Sequence, residues 1–197
     1  MENGFDQTRR KTCQGSKLQY GILRGNATIV LIKSGVGGSC KGHGDKYLKM
    51  ALRLRERRGF SVICASNPDD CDASFPTDKQ AITDYAREQG FEDYQAYGIG
   101  MSDGAYQILQ LAAVLPQTQK LLLINPSTVG IEDFIAKLQA LPRIEKHLVY
   151  GTLDDEFACV SQLKAANLPN IEIRTVPGAD HRFTDMSAEL IALADIL

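Results

Sequence analysis

"YQAYGIGMSDGAYQILQLAAVL", residues 94–115, joins a strand pattern to a helical pattern through a tight turn. YQAYGIG is typical of a buried strand, and DGAYQILQLAAVL (103–115) is apolar nearly all round until Pro116 ends the helix. The turn GMSDG (100–104) is a G-x-S-x-G motif in the strand–turn–helix context that this motif requires. Small residues at 100 and 104 let the chain turn sharply and lift Ser102 into a strained, exposed position, where the helix N-terminus favours developing negative charge.

The alternation of short apolar runs with longer helical patterns extends along the chain and predicts the fold class. Strands are predicted at 17–25, 27–35, 60–68, 94–100, 120–126, 146–151 and 171–178, and helices at 45–58, 76–90, 103–115, 131–141, 157–167 and 184–196. This rhythm predicts an α/β fold, a doubly wound, mostly parallel sheet with helices on both faces, in a single domain spanning residues 1–197. We expect the first two strands, joined by RGNA, to form an antiparallel hairpin-like pair.

Composition and charge exclude several classes of protein. With 197 residues, 44% hydrophobic and 23% charged, the chain can bury one sizeable core. A net charge of -2 gives no reason to expect nucleic acid or an anionic membrane as partner, and the basic run RLRERR (53–58) is typical of a solvated helix face. No apolar run approaches membrane-spanning length, and the start MENGFDQTRRKT has no signal-peptide core. Five scattered cysteines (13, 40, 64, 71 and 159) indicate no disulfide framework, so we expect a cytoplasmic protein.

A glycine-rich loop, IKSGVGGSCKGHGDKY (32–47), raises the question of which negative group its backbone N–H groups approach. The dinucleotide fingerprint fails because Cys40 stands at its third glycine, and the P-loop pattern fails because His43, not lysine, follows Gly42. Cys40 and His43 have a ligand-like spacing, yet no second pair follows among only three histidines, so no metal site is predicted.

Ser102 needs a base and an orienting acid before its hydroxyl can act as a nucleophile. His181 in VPGADHRF follows the strand IEIRTV, and Asp154 in VYGTLDDEF follows the strand KHLVY. All three residues lie past the carboxyl ends of predicted parallel strands, where sites in such sheets form, so they can converge in space. Two simpler interpretations remain at this point: Ser102 as an ordinary helix N-cap, and Asp155 or Glu156 in place of Asp154.

The order strand–GMSDG–helix, strand–GTLDDEF and strand–PGADHRF resembles the α/β-hydrolase family, from Lys17 to the last helix. The resemblance implies Ser102 as nucleophile, His181 as base and Asp154, three residues after Gly151, as acid. It also implies an oxyanion hole formed by the N–H groups of Val36 and Asp103. The family usually has a His-Gly pair before the loop amide, where this chain has Ser34-Gly35.

Family members often insert a cap where this chain has only NPSTVGIEDFIAKLQALPRIEK (125–146), with room for one amphipathic helix. We therefore predict a capless, cofactor-free serine hydrolase with a shallow site for small carboxylic esters, with thioesters left open. A peptidase or amidase, a dienelactone-type hydrolase and a non-catalytic binding module on the same scaffold are the alternatives. His43 is a candidate for lining the pocket mouth, whereas His147 is expected to be structural.

Overall fold

The computed structural model describes residues 4–71, 73–128 and 130–197. Its strands are β1 (Gln7–Cys13), β2 (Ser16–Leu23), β3 (Asn26–Lys33), β4 (Phe60–Ala65), β5 (Gln95–Met101), β6 (Thr118–Ile124), β7 (Glu145–Gly151) and β8 (Ile171–Val176). They form one sheet in the order β1-β2-β4-β3-β5-β6-β7-β8. The pairs from β4 to β8 are all parallel, and only β1 and β2 pair antiparallel with their neighbours.

Six α-helices cover both faces of this sheet in the described chain: α1 (Lys46–Arg58), α2 (Phe75–Glu88), α3 (Asp103–Val114), α4 (Ile131–Gln139), α5 (Val160–Ala165) and α6 (Ser187–Ala192). Buried side chains of α2, α3, α4 and α5 form one core cluster with Ile29 and Leu31 of β3. Those of α1 and α6 form a second cluster with Val30 and Ile32 on the opposite face. The doubly wound fold is confirmed, because successive residues of a central strand feed two cores.

The predicted hairpin between the first two strands is wrong. β2 hydrogen-bonds to β1 and β4, while β3 hydrogen-bonds to β4 and β5, so β4 lies between the two strands that RGNA connects. The two strands do run in opposite directions. Val30 and Leu31 of β3 are fully buried on opposite faces, which requires a central position with helices above and below rather than a place in an outer hairpin.

β1 lies at one edge of the sheet and was not predicted from the sequence. Its inward side is made of the half-buried Gln7, Arg9 and Lys11 and ends at the buried Cys13. Arg9 pairs with Glu88, and Lys11 Nζ lies 2.6 Å from Asp84 Oδ2, so α2 holds this strand by ion pairs. A strand anchored in this way has no hydrophobic alternation for sequence analysis to detect.

A buried ion pair lies beneath the carboxyl end of β3. Lys33 is fully buried, and its Nζ lies 3.0 Å from Asp78 Oδ2 of α2 and donates to the Ser66 carbonyl at 2.8 Å. The Asp78 carboxylate also accepts from Tyr20 Oη at 2.8 Å and from Ser74 Oγ at 3.0 Å. Hydrogen bonds to every oxygen of the carboxylate offset the cost of burying the two charges.

The five cysteines are all free thiols in the structure. Cys13 Sγ and Cys71 Sγ lie 2.8 Å apart, where the end of β1 meets the loop after β4. Burial and the contact with Cys13 raise the pKa of Cys71 to about 11. Among the described residues, no helix has both the length and the apolar character needed to cross a bilayer.

Candidate active site

Ser102 lies at a sharp turn between β5 and α3. Its backbone has φ 56° and ψ −128°, a region that residues other than glycine rarely adopt. A Cβ on Gly100 would lie 2.4 Å from Ala105 Cα, and one on Gly104 would lie 2.3 Å from the Ser34 carbonyl oxygen. Both motif glycines are therefore required by the close approach of α3 to β5 and to the end of β3. The Ser102 side chain does not cap α3, which excludes the simple N-cap interpretation.

Asp154 and His181 meet above the ends of β7 and β8. His181 Nδ1 lies 2.8 Å from Asp154 Oδ2, and Asp154 Oδ1 accepts a hydrogen bond from the Glu156 N–H at 2.9 Å. The aspartate side chain is buried, whereas the histidine side chain is 43% exposed. A carboxylate at Nδ1 favours the tautomer with its proton there, which leaves Nε2 free to accept one.

The two other candidate acids do not make this contact. Asp155 is exposed to solvent. Glu156 accepts hydrogen bonds from the N–H and the hydroxyl of Thr128 instead. Of the three adjacent carboxylates, Asp154 alone is bonded to His181 among the described residues.

The loops that carry the acid and the histidine are in direct contact. The Leu153 N–H donates to the Ala179 carbonyl at 2.9 Å, and the Thr152 N–H donates to that of Val176 at 3.1 Å. A Cβ on Gly151 would lie 2.3 Å from the Ala179 oxygen, so only glycine lets the loops approach so closely. This backbone contact sets the distance at which Asp154 and His181 face each other.

Ser102, Asp154 and His181 line one cavity of about 530 Å³, together with Ser127, Leu153 and Arg182. Within the described chain, no hydrogen bond joins Ser102 Oγ to His181; the two side chains face the same space. Such bonds are often long in a free site and shorten when a substrate is bound. His43 is exposed and is not part of this cavity wall.

The glycine-rich loop passes beside Ser102. A Cβ on Gly35 would lie 3.2 Å from Ser102 Cβ, and the Gly38 N–H donates to the Gly35 carbonyl at 3.0 Å. Gly37 has a φ of +69° and Val36 a negative one, so residues 35–38 form a type II turn. The Val36 side chain is exposed, and no protein group in the described ranges accepts its N–H.

The Asp103 N–H is the second predicted oxyanion donor. It is the first N–H of α3 and therefore has no acceptor within the helix. Asn67, which follows β4, connects the glycine-rich loop to Asp103: its N–H donates to the Gly38 carbonyl at 2.9 Å, and its Nδ2 donates to Asp103 Oδ2 at 2.9 Å. Asn67 is buried and was not predicted as a site residue.

Lys46 places a cation close to the turn that carries Ser102. Its Nζ lies 3.4 Å from the Sδ of Met101, the residue before Ser102. Burial lowers the pKa of Lys46. Because its contact is a weak sulfur acceptor, this ammonium adds positive potential beside the turn without forming an ion pair there.

No protein-family model matches the chain, and no curated protein matches its sequence. Solved structures do match its fold. Est1E from Butyrivibrio proteoclasticus has a TM-score of 0.72 and 16% identity, covering 96% of this chain and 96% of that one. An alpha-beta serine hydrolase homologue from Coxiella burnetii has 0.72 and 18%, covering 98% of each chain.

Dienelactone hydrolase from Anabaena variabilis has a TM-score of 0.67 and 19% identity, covering 96% of this chain and 95% of that one. Est1E has also been solved with ferulic acid bound. The chain thus has the α/β-hydrolase fold over nearly its whole length, and the predicted fold is confirmed. The part between β6 and β7 holds α4 and, among the described residues, no further helix, in agreement with the prediction that no cap is present.

Proposed function

We propose that the protein is a serine hydrolase that cleaves small carboxylic esters through an acyl-enzyme intermediate. The observation that carries the proposal is the Asp154–His181 hydrogen bond in the same cavity as Ser102, which stands at a strained turn. A scaffold that only binds has no need of this combination. The fold that the chain shares with esterases supports the reaction class.

Each residue has a defined role in the reaction. Ser102 Oγ attacks the ester carbonyl carbon while His181 Nε2 accepts its proton, and Asp154 stabilises the resulting imidazolium. The oxyanion accepts hydrogen bonds from the N–H groups of Val36 and Asp103. His181 returns the proton to the leaving alcohol, and then activates a water that releases the acid from Ser102.

The cavity has room for a small ester. A volume of about 530 Å³ accommodates a small acyl group, and Leu153 at its wall is 68% exposed, so an apolar contact is available at the rim. Est1E, whose fold this chain shares, binds ferulic acid. We infer that short acyl and small aromatic acyl esters are the substrate class.

Labelling by a fluorophosphonate probe tests the nucleophile. The wild type should be labelled and should hydrolyse p-nitrophenyl acetate, whereas Ser102→Ala should lose labelling and about 10⁴-fold or more in kcat. Ser161→Ala, at an exposed position on α5, is the matched control and should behave as the wild type. Retention of most activity in Ser102→Ala overturns the assignment, and an unlabelled, inactive wild type overturns the proposed function.

A matched set of substrates then identifies the bond that is cleaved. An oxygen ester, a thioester and an anilide with the same acyl group differ only in the leaving group. We expect the oxygen ester to have the highest kcat/KM, and a preference for the anilide would assign the protein to the amidases.

A further inference from the structure

Asn125 is a buried asparagine at the point where β6 ends. It is fully buried and has a φ of 41°, in the left-handed region that asparagine tolerates better than most residues. Its backbone N–H donates to the Val149 carbonyl of β7 at 2.8 Å. The sequence analysis did not select this residue, although it follows a parallel strand at the edge that carries the site.

The side chain of Asn125 binds both loops of the acid–base pair. Its Oδ1 accepts from the Gly151 N–H at 2.8 Å, three residues before Asp154. Its Nδ2 donates to the backbone carbonyls of Asp180 and His181, at 3.2 Å each. One planar amide therefore connects the end of β7 to the backbone of the histidine itself.

We propose that Asn125 is a positioning residue that holds His181 against Asp154. The proposal rests on the proposed function, and it concerns backbone placement, since Asn125 touches neither reacting side chain. A shift of the 180–181 backbone would carry the imidazole away from the acid, and the Asn125 amide restrains that backbone through its two hydrogen bonds.

The chemistry of the position favours asparagine over other side chains. The site needs one acceptor and two donors on a short side chain, and a carboxamide supplies both. Aspartate keeps the acceptor but has no donor for the two carbonyls, and an aliphatic residue has neither. A buried carbonyl or N–H left without a partner is destabilising, so the geometry is tightly specified.

Asn125→Gly is the main test because glycine also accepts a positive φ, so the change removes the side chain without straining the backbone. Asn170→Gly is the matched control. Asn170 has a φ of 51°, and its Nδ2 donates to the Pro142 carbonyl at 2.8 Å. It precedes β8, so it lies at the amino ends of the parallel strands, away from the site. Both variants lose one positive-φ asparagine and its hydrogen bonds to the backbone.

We expect Asn125→Gly to lower kcat by about a hundredfold with KM changed less than about threefold, since misplacing a catalytic group by about 1 Å has effects of this size. Asn170→Gly should keep the wild-type kcat and KM. A variant that loses thermal stability but keeps its kcat shows that Asn125 serves packing only, and it overturns the proposal.

A spectroscopic measurement makes the test independent of turnover. The proton between His181 Nδ1 and Asp154 should give a downfield NMR resonance in the resting wild type. It should broaden or disappear in Asn125→Gly and persist in Asn170→Gly. An unchanged resonance in Asn125→Gly overturns the positioning role, even if the protein hydrolyses no ester; failure of the proposed function is detected separately by the fluorophosphonate probe.

Asn125→Asp covers the case in which the glycine variant does not fold. It keeps the acceptor for the Gly151 N–H and the tolerance for a positive φ, but it lacks the two N–H donors and places a negative charge beside the carbonyls of the histidine loop. We expect the same loss of kcat and of the downfield resonance. Wild-type values for both in Asn125→Asp overturn the proposal.

Discussion

Ser102 holds a backbone conformation that costs about 1–3 kcal/mol for a residue with a side chain. Hydrogen bonds from the surrounding chain hold Ser102 in this conformation. The Ser102 N–H donates to the Ile124 carbonyl at 3.0 Å, and the Ala105 N–H donates to the Ser102 carbonyl at 3.0 Å. Because β6 and α3 fix both sides of the peptide, Ser102 keeps its place in the wall of the cavity.

The type II turn at residues 35–38 permits a clean test of the oxyanion hole. Proline is favoured at the second position of such a turn, which Val36 occupies, so Val36→Pro should leave the turn intact and remove only the N–H. We expect kcat to fall about a hundredfold or more, because one oxyanion donor typically contributes that much, with KM changed little. Steady-state kinetics on p-nitrophenyl acetate measure both values.

Val36→Ala is the control for this prediction. The exposed side chain makes no contribution to the core, so the alanine variant should keep its kcat and its Tm. Near-normal kcat in Val36→Pro, with a Tm equal to that of the wild type, would show that the glycine loop only lines the cavity.

The residues that sequence analysis identified differ in kind from those that it missed. Ser102, Asp154 and His181 each follow a recognisable strand and stand in a local motif. Asn67 and Asn125 act through partners 36 and 26 positions away, Asp103 and Gly151, so their roles depend on which strands become neighbours. Asn67 and Asn125 share one local signal: an Asn-Pro pair ends both FSVICASNP and KLLLINP, at the carboxyl ends of the strands where the site forms.

At the scale of the elements, apolar strands were predicted well because a strand that is buried on both faces has a continuous run of apolar residues. β1 was missed because ion pairs between charged side chains, not apolar contacts, attach it to α2. The predicted pairing of β2 with β3 was wrong because a short connection suggests neighbours, whereas sheet order depends on how many faces of each strand are covered. The periodicity of apolar residues along the chain does not contain the order of the strands in the sheet.

The ion pair between β3 and α2 carries a stability prediction. Asp78→Asn leaves the fully buried Lys33 without its counter-charge, so the free energy of unfolding should fall by about 3–5 kcal/mol in urea denaturation. Lys33 directly precedes the loop at Ser34 and Gly35, so the same change should also lower kcat.

Asp84→Asn is the matched control on the same helix. Asp84 pairs with Lys11, and both side chains are about one-fifth exposed, so this variant should lose less than about 1 kcal/mol. Equal losses in the two variants would mean that the buried pair contributes no more than a surface one.

At the scale of the whole molecule, buried acids should make the fold sensitive to alkali. Burial raises the pKa of Cys71 to about 11, and it also raises the pKa of Cys64, Tyr20 and Tyr150. Below the pKa that each group has in the unfolded chain, its contribution to the stability of the fold is complete. This contribution is lost as the pH rises toward the pKa that the group has in the folded protein. In that window, from about pH 8.5 for a thiol, each group lowers the free energy of unfolding by about 1.4 kcal/mol per pH unit.

Urea midpoints at pH 7.5 and pH 10, under reducing conditions, test this expectation. The midpoint should drop at pH 10 in the wild type, and it should drop less in Cys71→Ala, which has one buried thiol fewer to titrate. The same drop in both proteins would exclude Cys71 as a source of the alkaline instability.

The contacts of the last loop have a consequence for the order in which the chain emerges from the ribosome. The Asn125, Asp154 and His181 contacts join residues 27 to 56 positions apart. A nascent chain that already contains Ser102 still lacks His181, its proposed base, until β8 and the loop after it have left the exit tunnel. In the proposed mechanism the serine is therefore synthesised before its base and stays unactivated until His181 joins the fold.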